Sequence, residues 1–147
     1  MSGWAKFILV VTIISTVLLV LGIVAFVVAL PDVQTAAEKA AADQGYTGDK
    51  AAQAVSFAVG TVIGAFAFSI VFEVMQCVGG FLFSLKGRWG IFCIIMSIIS
   101  GVSNTYELVS SITQRSGALS IVTAAIAVVI AVLMIVACFK HRAELRR

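Results

Sequence analysis

The chain has 147 residues, of which 61% are hydrophobic and only 12% charged, with a mean hydropathy of +1.13 and a formal net charge of +3. That leaves too little polar surface to dissolve a globule of this size, so the composition excludes an ordinary soluble domain and points to an integral membrane protein. The positive charge is spread over connections and termini, which reads as a topology and anionic-lipid signal and not as a nucleic-acid footprint.

Four apolar runs predict an all-α bundle of four transmembrane helices in a single membrane domain covering 1–147, with spans at about 7–30, 54–83, 91–112 and 119–139. Each is near or above the ~20 residues a spanning helix needs. The first follows Lys6 and is longer than the roughly 7 to 15 residues of a signal core, so it reads as a retained span. Pro31 is expected to end or kink it. The next stretch, 32–50, predicts a helical non-cytoplasmic loop. Thr35 and Glu38 have capping-box spacing, a short helix covers about 36–44, Gly45 stops it, and Thr47 caps the second span.

Read from 48 to 83, the second helix would be roughly 54 Å long against ~30 Å of hydrocarbon, so it must tilt, protrude or break near Gly79 and Gly80. Gly87 and Trp89 mark the turn into the third span, and Gln114 to Gly117 the tight turn into the fourth. Lys6, Lys86, Arg88, Lys140, Arg142, Arg146 and Arg147 share one side, against Lys39, Lys50 and Arg115 on the other. The positive-inside rule therefore makes both termini and the 86–90 turn cytoplasmic, with 140–147 a basic tail. Cys77, Cys93 and Cys138 fall in cytoplasmic halves, where thiols stay reduced, and no disulfide framework is implied.

Two carboxylates, Glu73 and Glu107, lie inside apolar spans, where an ionisable group is usually retained for pairing, ion passage or proton transfer. Ser97, Ser100, Asn104, Glu107 and Ser111 recur at steps of three and four, a polar stripe on the third helix, and Ser69, Glu73, Gln76 and Gly80 make a shorter one on the second. The brief turn makes these helices antiparallel neighbours, so the stripes are expected to face each other. Regular geometry separates the two carboxylates by about 9 Å in depth, which argues against one shared proton. Glu73 is level with Ser100 to Asn104 and can serve in a polar clasp, contributing roughly 0.6 to 2 kcal/mol, or in an ion or proton pathway; Glu107 can also snorkel.

Gly60 and Gly64 form a G-x-x-x-G on the side of the second helix opposite Glu73, and Ala124, Ala127 and Ala131 offer small residues on the fourth, a pattern for intramolecular packing first and dimerisation second. Cys138 and His141 with Cys77 and Cys93 lack metal-site spacing, and the expected reading is core thiols and an interfacial histidine. No metal, cofactor or catalytic set is read, so the expectation is a non-enzyme.

Glu73, then Phe81-Leu82 and Gly87-Arg88-Trp89-Gly90-Ile91-Phe92, resemble the core of a eukaryotic tetraspan group that includes the COPI-associated Golgi vesicle proteins and the Flower family. The resemblance covers roughly 65–101. It implies residence in Golgi, endosomal or secretory vesicle membranes, a role in trafficking and, for Flower-like members, a calcium conductance with Glu73 as filter residue. Three functions follow: vesicle or endomembrane organisation through helix–helix partners or a homo-oligomer; an oligomeric calcium or proton conductor lined by Glu73, Gln76, Asn104 and Glu107; and a membrane-embedded enzyme, which would need a cofactor the sequence does not announce. The lipid bilayer is the common partner, with the plasma membrane the alternative location.

Overall fold

Ser2 begins the first helix in the way an N-cap should: its Oγ accepts the Ala5 N–H at 3.2 Å, satisfying a donor that has no partner within the helix. From there a computed structural model of the chain, describing residues 1–115 and 117–147, is all-α. It has α1 (Gly3–Asp43), α2 (Gly48–Lys86), α3 (Gly90–Thr113) and α4 (Ala118–Leu145). All four are long and apolar enough to cross a membrane, the architecture of a multi-pass membrane protein. Of the expected Gln114 to Gly117 turn, Ser116 lies outside the described residues.

Pro31 does not end α1, and α2 takes an unbroken one of its three alternatives. α1 runs unbroken through Pro31, so the separate helix at 36–44 and the capping box at Thr35 are not formed. Proline removes one N–H, but the residues after it include Ala36, Ala37, Ala40, Ala41 and Ala42, the strongest helix formers, and no glycine until Gly45. Thr35 sits inside the helix and donates its hydroxyl to the Pro31 carbonyl at 3.0 Å, while Gln34 donates to Glu38 at 3.2 Å. The stop at Gly45 is realised: with φ +76°, its N–H reaches Ala42 O at 2.9 Å and that of Tyr46 reaches Ala41 O at 3.0 Å, a Schellman closure.

α2 also passes through Gly79 and Gly80 without a break, and is 39 residues or about 58 Å long. It stops where Gly87, at φ +64°, returns its N–H to Phe83 O at 3.0 Å. Trp89 then takes a left-handed φ of 67° before α3, packing its ring edge-on to Phe92 at 5.3 Å. α4 continues to Leu145, so most of the basic 140–147 segment is helical.

Hydroxyls inside the helices close onto their own backbone. Thr12, Thr61, Ser69, Thr105 and Thr123 each donate to the carbonyl four residues earlier, at 2.7 to 3.1 Å. In a medium without water this removes the cost of an unpaired donor.

The described residues divide into two compact units, unit 1 being Met1–Ser15 with Met75–Arg147 and unit 2 being Thr16–Val74. The core lies in unit 1, where Ile8, Phe83, Cys93, Ile94, Met134, Ala137 and Cys138 form one buried cluster. α2 reaches its neighbours there through glycine. A methyl built on Gly79 would stand 2.8 Å from two ring carbons of Phe92, and one on Gly80 would overlap the Thr12 hydroxyl. Along the α3–α4 seam, Gly101 lies opposite Ala131 and Ile135, and Ala124, Ala131 and Cys138 are buried at steps of seven. In unit 2, Phe26 of α1 stacks on Phe66 of α2 with centroids 3.7 Å apart.

Candidate functional site

Glu73 lies in unit 2, exposed, on the wall of a groove of ≈ 190 Å³ between the two helices of that unit. Leu18, Leu19, Gly22 and Ile23 of α1 form one side; Phe66, Ser69 and Ile70 of α2 join Glu73 on the other. The Ser69 hydroxyl is committed to Ala65 O at 3.1 Å. One carboxylate on an apolar wall can take up a proton or accept a hydrogen bond. It falls far short of the six to eight oxygens that calcium requires, so one such groove cannot by itself dehydrate that ion.

The α3 stripe runs from buried to exposed. Ser97 is 2% exposed, Ser100, Asn104 and Ser111 are half-buried, and Glu107 is exposed. At its buried end it is turned toward α4, with Ser97 Oγ 3.9 Å from Cys138 Sγ; the residue α3 presents to Gly79 of α2 is Phe92. The expectation that this stripe faces α2 fails at Ser97, because the small, soft thiol of α4 accommodates a hydroxyl while the aromatic ring fills the glycine notch. Among the described residues, the side chains of Glu73, Gln76, Asn104 and Glu107 make no hydrogen bond or ion pair.

The small-residue faces separate as well. Ala131 is buried and Ala127 half-buried on α4, with Ala131 opposite Gly101 of α3. Gly60 and Gly64 have no described residue within 4 Å of a methyl built on them, so the expected intramolecular packing is not made there. Their surroundings are open because the aromatic stacking of unit 2 uses the other side of α2, through Phe66.

Among the described residues, the histidine expected at the membrane interface is also buried within the protein, His141 being only 5% exposed. Its Nε2 stands 3.2 Å from Phe83 O, an acceptor only, so Nε2 carries the proton and donates. Nδ1 then accepts from Ser2 Oγ at 3.3 Å, with Glu144 3.7 Å away and the Phe83 ring centroid at 4.8 Å. Three chain segments, the start of α1, the end of α2 and the end of α4, are thereby joined through one imidazole.

Beside it, Cys93 and Cys138 bring their sulfurs to 3.2 Å. The pair is invisible to motif reading because 45 positions separate the residues. The usable signal was the seam itself: Cys93, Ser97 and Gly101 at steps of four on α3, and Ala124, Ala131 and Cys138 at steps of seven on α4. Among the described residues no group of three or more Cys, His, Asp and Glu side chains could hold a metal ion. Comparison of the chain with protein-family models, curated proteins and solved structures finds no match in any of the three.

Proposed function

We propose that the protein is a non-enzymatic, multi-pass membrane protein that organises vesicle or other endomembranes by associating with a second copy of itself through α2. The observation that carries this reading is the open glycine pair: Gly60 and Gly64 share one face of α2, with no described side chain or backbone close to either. A G-x-x-x-G face lets two helix backbones approach closely, and the association gains van der Waals contact that lipid tails supply less well. The residues around it, Phe57, Phe68 and Val71, are exposed and apolar, as a lipid-embedded contact between copies requires. The endomembrane setting rests on the resemblance over 65–101, and cytoplasmic termini rest on the charge asymmetry of the connections. Tagging each terminus, with selective permeabilisation and imaging, tests both; a plasma-membrane protein or one with luminal termini would break this part.

A second reading is favoured by Glu73 in its groove. Several copies could bring enough carboxylates together to replace part of a cation's hydration, with Gln76, Asn104 and Glu107 lining the path, or pass protons one carboxylate at a time. Calcium and proton flux into liposomes, measured for the wild type and Glu73→Gln with copy number determined in parallel, separates the readings. The organising role predicts equal flux for both proteins. A variant that assembles normally but has lost a wild-type flux overturns it in favour of conduction.

A further inference from the structure

The buried thiols of Cys93 on α3 and Cys138 on α4 take no part in the reading above. Their Sγ atoms are 3.2 Å apart, about 1.2 Å more than the ~2.05 Å of a disulfide bond. Cys93 is 4% exposed and Cys138 fully buried, and both belong to the main core cluster. Metal binding is the other chemistry open to paired thiols, but among the described residues no third ligand joins them. Two sulfurs held in contact, without a third donor, are arranged for oxidation to each other.

We propose that Cys93 and Cys138 are a reversible dithiol–disulfide pair, oxidised by a small hydroperoxide such as hydrogen peroxide and restored by a dithiol reductant. Cys93 is the less buried residue of the two, so the first attack is assigned to its sulfur. The S–O bond forms as the peroxide O–O bond breaks, and the thiol proton leaves with the departing oxygen as water, giving a sulfenic acid. Cys138 then attacks that sulfur; the S–S bond forms, the S–O bond breaks, and a second water leaves. Two electrons pass from the sulfur pair to the peroxide. The second thiol is already in contact, so it intercepts the sulfenic acid before another peroxide can carry it to sulfinic acid. The product staples α3 to α4 across the whole α3–α4 turn.

The third cysteine, Cys77, is buried on α2 and serves as an internal control. The full chain in lipid nanodiscs is treated with hydrogen peroxide, denatured under non-reducing conditions, titrated for free thiols and mapped by proteolysis and mass spectrometry. Free thiols should fall from three to one per chain, with a linked peptide pair containing Cys93 and Cys138, and return to three after dithiothreitol. Cys77→Ser should keep the link, whereas Cys93→Ser and Cys138→Ser should lose it; the wild-type map decides even if a variant fails to fold. Three unchanged thiols, a link to Cys77 or to a second chain, or sulfinic acid at Cys93 without a link would each overturn the proposal.

Discussion

α2 carries two glycine pairs with opposite fates. Gly79 and Gly80 are buried in unit 1, pressed by Phe92 and Thr12, while Gly60 and Gly64 in unit 2 are exposed with empty space above them. Spacing alone would assign the roles the other way, since G-x-x-x-G is the recognised packing pattern and adjacent glycines read as a break. What decides is the neighbour. Thr12 and Phe92 come from helices already joined to α2 through the core and the short 86–90 turn, and glycine is the residue that lets those side chains reach the backbone. An open glycine face within one chain is instead a surface available to another.

The sharpest way to break this contrast is to fill both places. Gly80→Leu should cost about 3 kcal/mol or prevent folding, because a side chain there collides with Thr12 in a filled core; thermal unfolding in detergent reads it. Gly80→Ala should cost less, and combining it with Thr12→Ala should recover much of that smaller loss, since the added methyl then occupies vacated space. A Gly80→Leu protein that melts with the wild type would remove the notch from the account.

His141→Leu comes next. It keeps the volume but takes from the Phe83 carbonyl the second of its two donors, leaving the Gly87 N–H, and leaves Ser2 without its acceptor, a loss of about 1 kcal/mol by chemical denaturation in mixed micelles. Ser2→Ala should cost about 1 kcal/mol in the same assay, through the lost N-cap and its bond to the imidazole. The smallest effect on folding belongs to unit 2. Gly60→Leu with Gly64→Leu should leave the fold of the single chain intact, because glycine inside a helix is about 0.8 to 1 kcal/mol worse than alanine and nothing within the chain opposes the new side chains.

The four helices were legible in the sequence because length and hydropathy determine them almost alone, and so was the Gly45 stop. The continuity of α1 was not, since the local signals at Pro31 and Thr35 were outweighed by the alanines that follow. Glu73 and the α3 stripe could be named from residue type and period. Their orientation could not, because Ser97 turns to α4 through a contact with Cys138 that lies 41 positions away, and the partners of His141, Phe83 and Ser2, are 58 and 139 positions from it. Local chemistry finds which residues are unusual, whereas long-range packing decides what they touch.

The central claim is that the open face of α2 joins copies of the chain, and the copy number in nanodiscs tests it most directly. Native mass spectrometry should find the wild type as a dimer or larger assembly and the protein carrying Gly60→Leu and Gly64→Leu as a folded monomer with unchanged helix content. A monomeric wild type, or a double variant that assembles as well as the wild type, would contradict it.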